Sequence, residues 1–296
     1  MAQLTLALDI GGTNFSIALF ADRSLVQVET QRTLRGAGPC WMLDQMQEIF
    51  ARWQINQPLD GCGIGFGGPV HFAEQRVIYS THVSGWDDFD LIGEVGRRFH
   101  APAVLDRDTM LGALGEGEYG AGIGMRPLFY MTLSTGIGGG FLDENNSLLR
   151  GADSFACELG HHTVDPNGPE CLCGRSGCLE RMCCGLWLER DYGAPAEVLF
   201  RDPAFVRRYV IPLARGLKNC IMFLNPALIV IGGGIARAGD TLFQPLREEL
   251  AAQMPPWSKA RVDLQPAGLG SRTVLWGALE LARQELYSKR SPIALE

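Results

Sequence analysis

The chain has 296 residues, enough for about two domains of ~150 residues each. Its formal net charge is −7, from 26 basic and 33 acidic side chains, which argues against the basic surface that nucleic-acid binding needs. Hydrophobic residues make up 46% of the chain but form no run near the ~18 residues of a membrane span, so we expect neither nucleic acid nor a membrane as a partner.

The first part of the chain predicts a strand hairpin followed by alternating helices and strands. Leu4, Leu6 and Leu8 recur with the period of two that is typical of a strand. Gly11 and Gly12 supply a turn, and a second apolar strand runs over 15–20. The next predicted elements are a helix over 41–53, a strand over 62–66, a helix over 90–99, a strand over 103–105, and a helix after Asp108.

The hairpin pattern returns in the second part of the chain. A strand over 128–134 leads to a glycine-rich turn over 136–140 and a further strand from Phe141, so we expect a duplicated unit. The remaining predicted elements are a helix over 204–224, a buried strand over 227–231, a turn over 232–234, a helix over 240–253 and a final amphipathic helix over 274–288. This alternation predicts an α/β protein with two lobes that divide near 110–115.

Glycine is over-represented and clustered. The chain has 37 glycines, about 12.5% of its residues against ~7% in average proteins. Glycine turns after strands let backbone N–H groups approach an anion closely. The turn from Asp9 to Asn14 adds a hydroxyl and a carboxylate that can hold Mg²⁺ through water, and the turn from Ser134 to Gly140 has the same ingredients. The alternative for the first turn is a plain hairpin.

Two further glycine clusters have less specific interpretations. Gly63, Gly65 and Gly68 match GxGxxG, but Pro69 follows where a dinucleotide-binding helix would have to begin, so that motif is rejected. The glycines at 232–234 follow a strand and precede a helix, where they could cradle a nucleotide or allow close packing. The three lysines form neither a P-loop nor a protein-kinase motif, so phosphate binding is expected to use N–H groups, hydroxyls and metal.

The cysteines predict a metal site. Nine cysteines and no recognisable secretory signal favour a cytoplasmic chain with free thiols or metal ligands over a disulfide framework. Three of them, Cys171, Cys173 and Cys178, lie within eight residues, and Zn²⁺ takes four nitrogen or sulfur ligands. His161 is predicted as the fourth ligand, with His162 as the alternative. Unconnected buried thiols are the competing interpretation, and the remaining cysteines are read as small core residues.

Together these motifs resemble the ROK family of sugar kinases, within the actin/hexokinase/Hsp70-like ATPases. The most specific match is Glu158-x-Gly-His161, then nine residues, then Cys171-x-Cys173-Gly-x-x-Gly-Cys178-x-Glu180. The resemblance implies a two-lobed α/β actin/hexokinase-like fold with duplicated ribonuclease H-like halves and a cleft between the lobes. Residues 1–112 with the C-terminal helix over 275–296 would form the smaller lobe, and residues 113–274 the larger.

The resemblance also implies an activity and its residues: ATP- and Mg²⁺-dependent transfer of a phosphoryl group to the 6-hydroxyl of a hexose, with a structural Zn²⁺. Asp108 would be the general base, a role compatible with capping the helix that follows it. The implied sugar-binding residues are Gly68, His82, Arg107, Asp108, Glu158, His161 and Glu180. The implied phosphate- and nucleotide-binding residues are Asp9, Gly11, Gly12, Thr13, Asn14, Thr135, Gly136, Gly138, Gly233 and Gly234.

Two departures from the family pattern concern specificity. Arg107 and His82 stand where the family has asparagines, and a guanidinium only donates hydrogen bonds whereas an amide also accepts. We therefore expect a different hydroxyl pattern or an anionic sugar, unless Arg107 is bound to Asp106 or another acid. The Arg107–Asp108 pair also resembles the allose-kinase branch.

Two other functions remain open. The family includes repressors, so a catalytically silent sugar sensor acting through protein partners is one alternative. Such repressors carry an N-terminal helix-turn-helix, which we do not expect before a first strand that starts at residue 3. A polyphosphate-dependent glucokinase is the other alternative. The resemblance further implies a homodimer.

Overall fold

The structure, a computed structural model, describes residues 2–34, 36–80, 84–87, 89–258 and 260–287. It contains two compact units: one of Met1–Glu118, Arg150–Phe155 and Arg272–Glu296, and one of Tyr119–Leu149 and Ala156–Ser271. The domain boundaries predicted from the sequence stay a prediction. The first unit includes the short segment 150–155, which the sequence pattern did not single out.

The described chain contains both strands and helices, with strands grouped near the start and helices grouped in the second half. The strands are β1 Leu4–Ile10, β2 Asn14–Ala21, β3 Ser24–Arg32, β4 Gly61–Phe66, β5 Val70–His71, β6 Arg76–Val77, β7 Ala103–Arg107, β8 Leu128–Leu133, β9 Ile137–Leu142, β10 Leu228–Gly232 and β11 Asp263–Pro266. The helices are α1 Gly38–Arg52, α2 Leu91–Phe99, α3 Asp108–Tyr119, α4 Leu179–Cys183, α5 Gly185–Tyr192, α6 Ala196–Leu199, α7 Pro203–Leu224, α8 Asp240–Gln253 and α9 Thr273–Ala282. None of the helices described is both long and apolar enough to cross a bilayer.

The first unit is built on a five-stranded sheet with the strand order β3-β2-β1-β4-β7. β1 is antiparallel to β2 but parallel to β4, which is parallel to β7. The carboxyl ends of β1, β4 and β7 therefore meet at one edge of the sheet. The leucines of β1 join the core that includes Met42 and Met46 of α1, while Thr5 on the opposite face bonds Tyr287, with 2.8 Å between the hydroxyls.

Helix α9 lies unusually close to its neighbours in this unit. A Cβ on Gly63 of β4 would stand 1.9 Å from the carbonyl oxygen of Ala278, and one on Gly65 would stand 2.4 Å from a methyl of Val274. Likewise, a Cβ on Gly277 would be 1.9 Å from the carbonyl oxygen of Leu111 in α3. Two glycines of the rejected GxGxxG match thus have a packing explanation: they let a helix rest on the backbone of a strand.

The second unit repeats part of this topology. Its four-stranded sheet has the order β11-β10-β8-β9, in which β8 is antiparallel to β9 and parallel to β10. The order β9-β8-β10-β11 corresponds to β2-β1-β4-β7 of the first unit, in line with the duplication expected from the two glycine hairpins. The helices α7 and α8 pack against this sheet in a core that includes Leu213, Leu217 and Phe243.

The structure corrects the second predicted turn. β8 ends at Leu133 and β9 begins at Ile137, so Gly138, Gly139 and Gly140 lie in a strand rather than in the turn. The physical reason is packing, because a Cβ on Gly139 would stand 2.5 Å from the ring of Phe129. The turn itself is the short segment Ser134–Ile137, called the second glycine turn below.

Replacing Gly63 should destabilise the first unit. In Gly63→Ala the new methyl meets backbone, which cannot rotate away, so we expect the free energy of unfolding to fall by about 1–3 kcal/mol or more. Urea unfolding measures this. Gly36→Ala is the matched control, because nothing lies within 4 Å of its added Cβ. Equal stability of the two variants would contradict the close α9–β4 packing.

Candidate functional site

The first glycine turn, Gly11–Asn14, is tightly closed. The N–H of Gly11 donates to the carbonyl of Asn14 at 3.1 Å, and a Cβ on Gly11 would stand 2.7 Å from that oxygen. Thr33, just after β3, donates its hydroxyl to the Gly11 carbonyl at 2.7 Å and its N–H to the Thr13 carbonyl at 2.9 Å. The turn is therefore held from a third strand by Thr33, a residue that sequence reasoning missed.

Two carboxyl groups lie at the edge of the sheet beside this turn. Gly67, directly after β4, donates its N–H to the carbonyl of Ile10 at 2.8 Å. A Cβ on Gly67 would stand 3.4 Å from Cα of Gly11 and 3.5 Å from Oδ2 of Asp108. The structure thus brings together Asp9, the first glycine turn and Asp108, with Gly68 next to Gly67 in the chain.

The closeness of these carboxyls changes their acidity. Burial, and then the neighbouring Asp108 carboxyl, raise the pKa of Asp9 from 3.8 to about 8. Asp108 itself opens α3, where Oδ1 accepts the N–H of Thr109 at 2.7 Å. The N-terminus of a helix favours a negative charge, so the helix supports an ionised Asp108. A pair of this kind is an unfavourable place for two anions and a favourable one for a cation.

Arg107 lies just before Asp108, and its side chain is buried, at 4% exposure. The adjacent Asp106 accepts the backbone N–H of Arg107 at 2.8 Å and forms an ion pair with Arg150, whose Nε lies 2.8 Å from Oδ2. The Arg150 guanidinium also stacks 3.6 Å above the ring centre of Phe72. Burial raises the pKa of Asp106, although Arg150 opposes that shift. The other predicted specificity residue, His82, lies outside the described residues.

In the second unit, the second glycine turn is enclosed by later segments of the chain. Within the turn, the N–H of Ser134 donates to the Gly136 carbonyl at 3.0 Å. The N–H groups of Gly185 and Leu186, at the start of α5, donate to the carbonyls of Ser134 and Thr135 at 2.7 and 3.2 Å. The predicted phosphate-binding residues Thr135 and Gly136 therefore lie in a turn that is fixed from outside.

Glu180, a predicted sugar-binding residue, also reaches this turn. Its Oε2 accepts the N–H of Ile137 at 2.8 Å, across 43 positions of sequence. On the other side, a Cβ on Gly160 would stand 2.2 Å from the Ile137 carbonyl oxygen. Gly160 belongs to the 3₁₀ turn Leu159–His161, which Glu158 precedes. No periodicity or motif in the sequence could have shown these contacts.

The glycines at 232–234 divide between two interpretations. Gly233 has φ +91°, and a Cβ there would stand 2.4 Å from the Leu133 carbonyl oxygen. A Cβ on Gly232 would stand 2.4 Å from the hydroxyl of Tyr130. Close packing therefore explains these two. Gly234 has no such requirement, because the nearest atom to an added Cβ is the end of the Arg237 side chain at 3.6 Å.

The predicted metal ligands are brought together. Ligand atoms of His161, Cys171, Cys173 and Cys178 all lie within 4.8 Å of one another. The sulfurs of Cys173 and Cys178 are 3.5 Å apart, close to the ~3.8 Å that tetrahedral Zn–S bonds of ~2.3 Å would give. His161 turns Nδ1 towards Cys171, at 4.0 Å. The alternative ligand His162 instead directs Nδ1 to the carbonyl of Leu159.

The loop that carries these cysteines depends on two glycines. Gly174 and Gly177 have φ of +80° and +67°, a region that other residues rarely adopt. At Gly177 a Cβ would also stand 1.6 Å from the carbonyl oxygen of Asp165. Burial, and then the neighbouring thiols, raise the pKa of Cys178 to about 12. A bound cation would offset this effect, because it stabilises thiolates.

Known proteins share this architecture along nearly the whole chain. The ROK family model matches residues 5–285. A glucokinase from Thermotoga maritima is 31% identical over 95% of this chain and 98% of its own. The crystal structure of a ROK hexokinase from Thermus thermophilus superposes with a TM-score of 0.83 at 29% identity, covering 97% of this chain and 100% of that one.

A ROK glucokinase from Streptomyces griseus, solved with glucose and AMPPNP, has a TM-score of 0.79 at 25% identity, covering 95% of this chain and 99% of that one. The likenesses confirm the fold class expected from the sequence, a mixed α/β fold of the actin/hexokinase type. They also confirm the family that the glycine turns and the cysteine motif resemble, and the chain therefore belongs to the ROK family.

Proposed function

We propose that this protein is an ATP-dependent sugar kinase that transfers the γ-phosphoryl group to the 6-hydroxyl of a hexose or hexose derivative. The observation that carries the proposal is the pairing of Asp9 and Asp108 beside the first glycine turn, at the carboxyl ends of the parallel strands β1, β4 and β7. Membership of a family with glucokinase and hexokinase relatives supports the same activity.

Asp108 is proposed as the general base towards the sugar hydroxyl. An ordinary aspartate has a pKa of about 3.9, far below that of an alcohol, so it cannot ionise the hydroxyl in the ground state. The transition state is loose, so the proton moves late, after the bond between the γ-phosphorus and the leaving diphosphate is largely broken. Holding the hydroxyl in line with the phosphorus is therefore as important as basicity, and the rigid start of α3 suits that task.

The residues at the first glycine turn fit Mg²⁺ and phosphate. Carboxylate oxygens are ligands that Mg²⁺ prefers, and a nearby cation would oppose both the burial and the Asp108 charge that raise the pKa of Asp9. Asp9 would hold Mg²⁺ through water, and the ion would neutralise charge on the nucleotide phosphates. Backbone N–H groups of Gly12 and Asn14 and the Thr13 hydroxyl would bind phosphate oxygens, while Gly11, whose N–H closes the turn on the Asn14 carbonyl, would let the phosphate approach the backbone. In the second unit Thr135, Gly136, Gly138, Gly233 and Gly234 are proposed for the nucleotide.

The cysteine cluster fits a structural Zn²⁺. Its donor set of three thiols and one imidazole is one that zinc takes in closed sites. Zinc would hold Nδ1 of His161 and leave Nε2 for a sugar hydroxyl, which fixes the ring without placing the metal in the reaction. Glu158 and Glu180 would accept hydrogen bonds from further hydroxyls. Gly68, His82 and Arg107 complete the proposed sugar site, and an arginine at 107 would change the hydroxyl pattern because it only donates.

Three further expectations rest on the family resemblance and the sequence. They are ATP rather than polyphosphate as the phosphoryl donor, a homodimer, and a cytoplasmic location. The acidic net charge supports the first, since it offers no basic groove for a polyanion.

The catalytic proposal predicts turnover that depends on Asp108. ADP release with Mg·ATP across a panel of hexoses should show activity in the wild type and a loss of about 10²–10⁴-fold in kcat for Asp108→Asn. The exposed Asp44 provides a matched control, because Asp44→Asn removes a carboxylate from the surface of α1. Activity retained in Asp108→Asn would refute its role as base. A wild type inactive on every hexose would favour the sugar sensor, and turnover with polyphosphate alone would change the donor.

The zinc proposal predicts metal content directly. Elemental analysis should find about one zinc per chain in the wild type and far less in Cys173→Ser, which removes one of four ligands. Cys40→Ser is the control, since Cys40 is also an exposed thiol but lies outside the cluster. Unchanged zinc in Cys173→Ser would contradict the site.

The carboxyl pair predicts a pH dependence of stability without Mg²⁺ or nucleotide. The folded pKa of Asp9, about 8, lies above its ordinary value of 3.8, so between these values the folded chain binds a proton that the unfolded chain has released. This contribution is present at low pH and lost as pH rises through about 8, with a slope of at most about 1.4 kcal/mol per pH unit. The unfolding free energy of Asp9→Asn minus that of the wild type should therefore grow from pH 5 to pH 8. A difference that does not change with pH would contradict the raised pKa of Asp9.

A further inference from the structure

The carboxylate of Glu180 lies directly against the backbone of the second glycine turn. Its Oε2 accepts the N–H of Ile137 at 2.8 Å, and a Cβ on Gly136 would stand 2.8 Å from the same oxygen. Gly136 thus leaves the space that the carboxylate fills. Since Ile137 is 4% exposed, Glu180 provides an acceptor for a backbone donor with little access to water.

The carbonyl side of Ile137 is enclosed as well. A Cβ on Gly160 would stand 2.2 Å from the Ile137 carbonyl oxygen, so the 3₁₀ turn Leu159–His161 touches the backbone there. Glu180 therefore holds the N–H side of Ile137 while Gly160 closes the C=O side. The start of α5 adds the hydrogen bonds to Ser134 and Thr135.

Both contact residues are neighbours of the cysteine cluster. Gly160 directly precedes His161, and Glu180 follows Cys178 by two residues. The segments that contain Gly160 and Glu180 are also joined to each other. Leu179 donates its N–H to the His162 carbonyl at 3.1 Å, and Cys178 Sγ contacts the His161 carbonyl at 3.4 Å. These contacts at the cysteine cluster therefore set the distance between Gly160 and Glu180. That distance in turn fixes how the two residues contact Ile137.

We propose that Glu180 is a positioning residue for the second glycine turn, in addition to binding sugar. A carboxylate has about four acceptor sites, so holding Ile137 does not prevent it from accepting a sugar hydroxyl. The affinity for nucleotide then depends on Glu180 even when no sugar is bound. This inference rests on the proposed function, in which the second glycine turn binds phosphate.

The first test observes the turn without any ligand. Hydrogen–deuterium exchange of the peptide over 133–142 should be about tenfold faster in Glu180→Ala, because an enclosed N–H has lost a charged acceptor. Glu180→Gln keeps a side-chain oxygen and should stay within about threefold of the wild type. The control is Glu189→Ala, which removes an exposed carboxylate from the neighbouring helix α5. Equal exchange in Glu180→Ala and the wild type would overturn the proposal.

The second test measures the dissociation constant of Mg·AMPPNP by calorimetry in the absence of sugar. We expect it to rise about tenfold in Glu180→Ala and to change less than about threefold in Glu180→Gln and Glu189→Ala. A residue that only bound sugar would leave this constant unchanged and alter only the sugar KM, an outcome that would also overturn the proposal. Failure of the wild type to bind nucleotide would count against the proposed kinase, whereas faster exchange in Glu180→Ala would still support the anchoring of the turn.

A second variant guards against loss of the fold or of metal in Glu180→Ala. Gly136→Ala keeps Glu180 and all four cluster residues in the sequence, but its methyl would stand 2.8 Å from Oε2, too close for the carboxylate to stay where it is. It should reproduce the faster exchange, with unchanged zinc content and far-UV circular dichroism. If Gly136→Ala exchanges like the wild type, the contact between Glu180 and the turn has no positioning role.

Discussion

The contact on which the first unit depends is the approach of α9 to the bare backbone of β4. Only glycine at positions 63 and 65 allows it, because any side chain there would overlap the helix. The helix is among the last elements of the chain, while β1, which it also helps to bury, is the first, and Thr5 bonds Tyr287 across the two ends. The edge that carries Asp9 and Asp108 is therefore completed only when the end of the chain has packed, so stability and the site share one interface.

That edge brings two carboxyl groups together where folding alone would avoid it. Burial and the neighbouring Asp108 carboxyl raise the pKa of Asp9 to about 8, so ionising this carboxyl in place costs free energy, and such conflicts with stability are typical of functional positions. Hydrogen bonds hold the backbone around the pair in place. Thr33 bonds the first glycine turn to the end of β3, and Gly67 bonds the end of β4 to β1.

The sequence was informative wherever the signal is local. The hairpin at Gly11, the helix after Asp108 and the ligand cluster around Cys173 all follow from short-range patterns, and the structure places them as expected. The strand β3 has no such pattern, because it is largely polar and mostly exposed. Contacts between distant segments were invisible for a different reason: nothing near Glu180 indicates that it bonds Ile137, and nothing near Arg150 indicates that it returns to Asp106.

The glycines show how these two kinds of information combine. Glycine clusters drew attention to anion binding, yet Gly63, Gly139 and Gly233 are each explained by an atom that a Cβ would overlap. Gly234 has no such explanation, since an added Cβ there would meet only the end of the Arg237 side chain, at 3.6 Å. The contacts that an added Cβ would make thus separate glycines that permit packing from those whose backbone is left open to a ligand. Gly136 belongs to the first group, because the space that its Cβ would enter is bordered by the Glu180 carboxylate, which comes from the segment that carries the metal cluster.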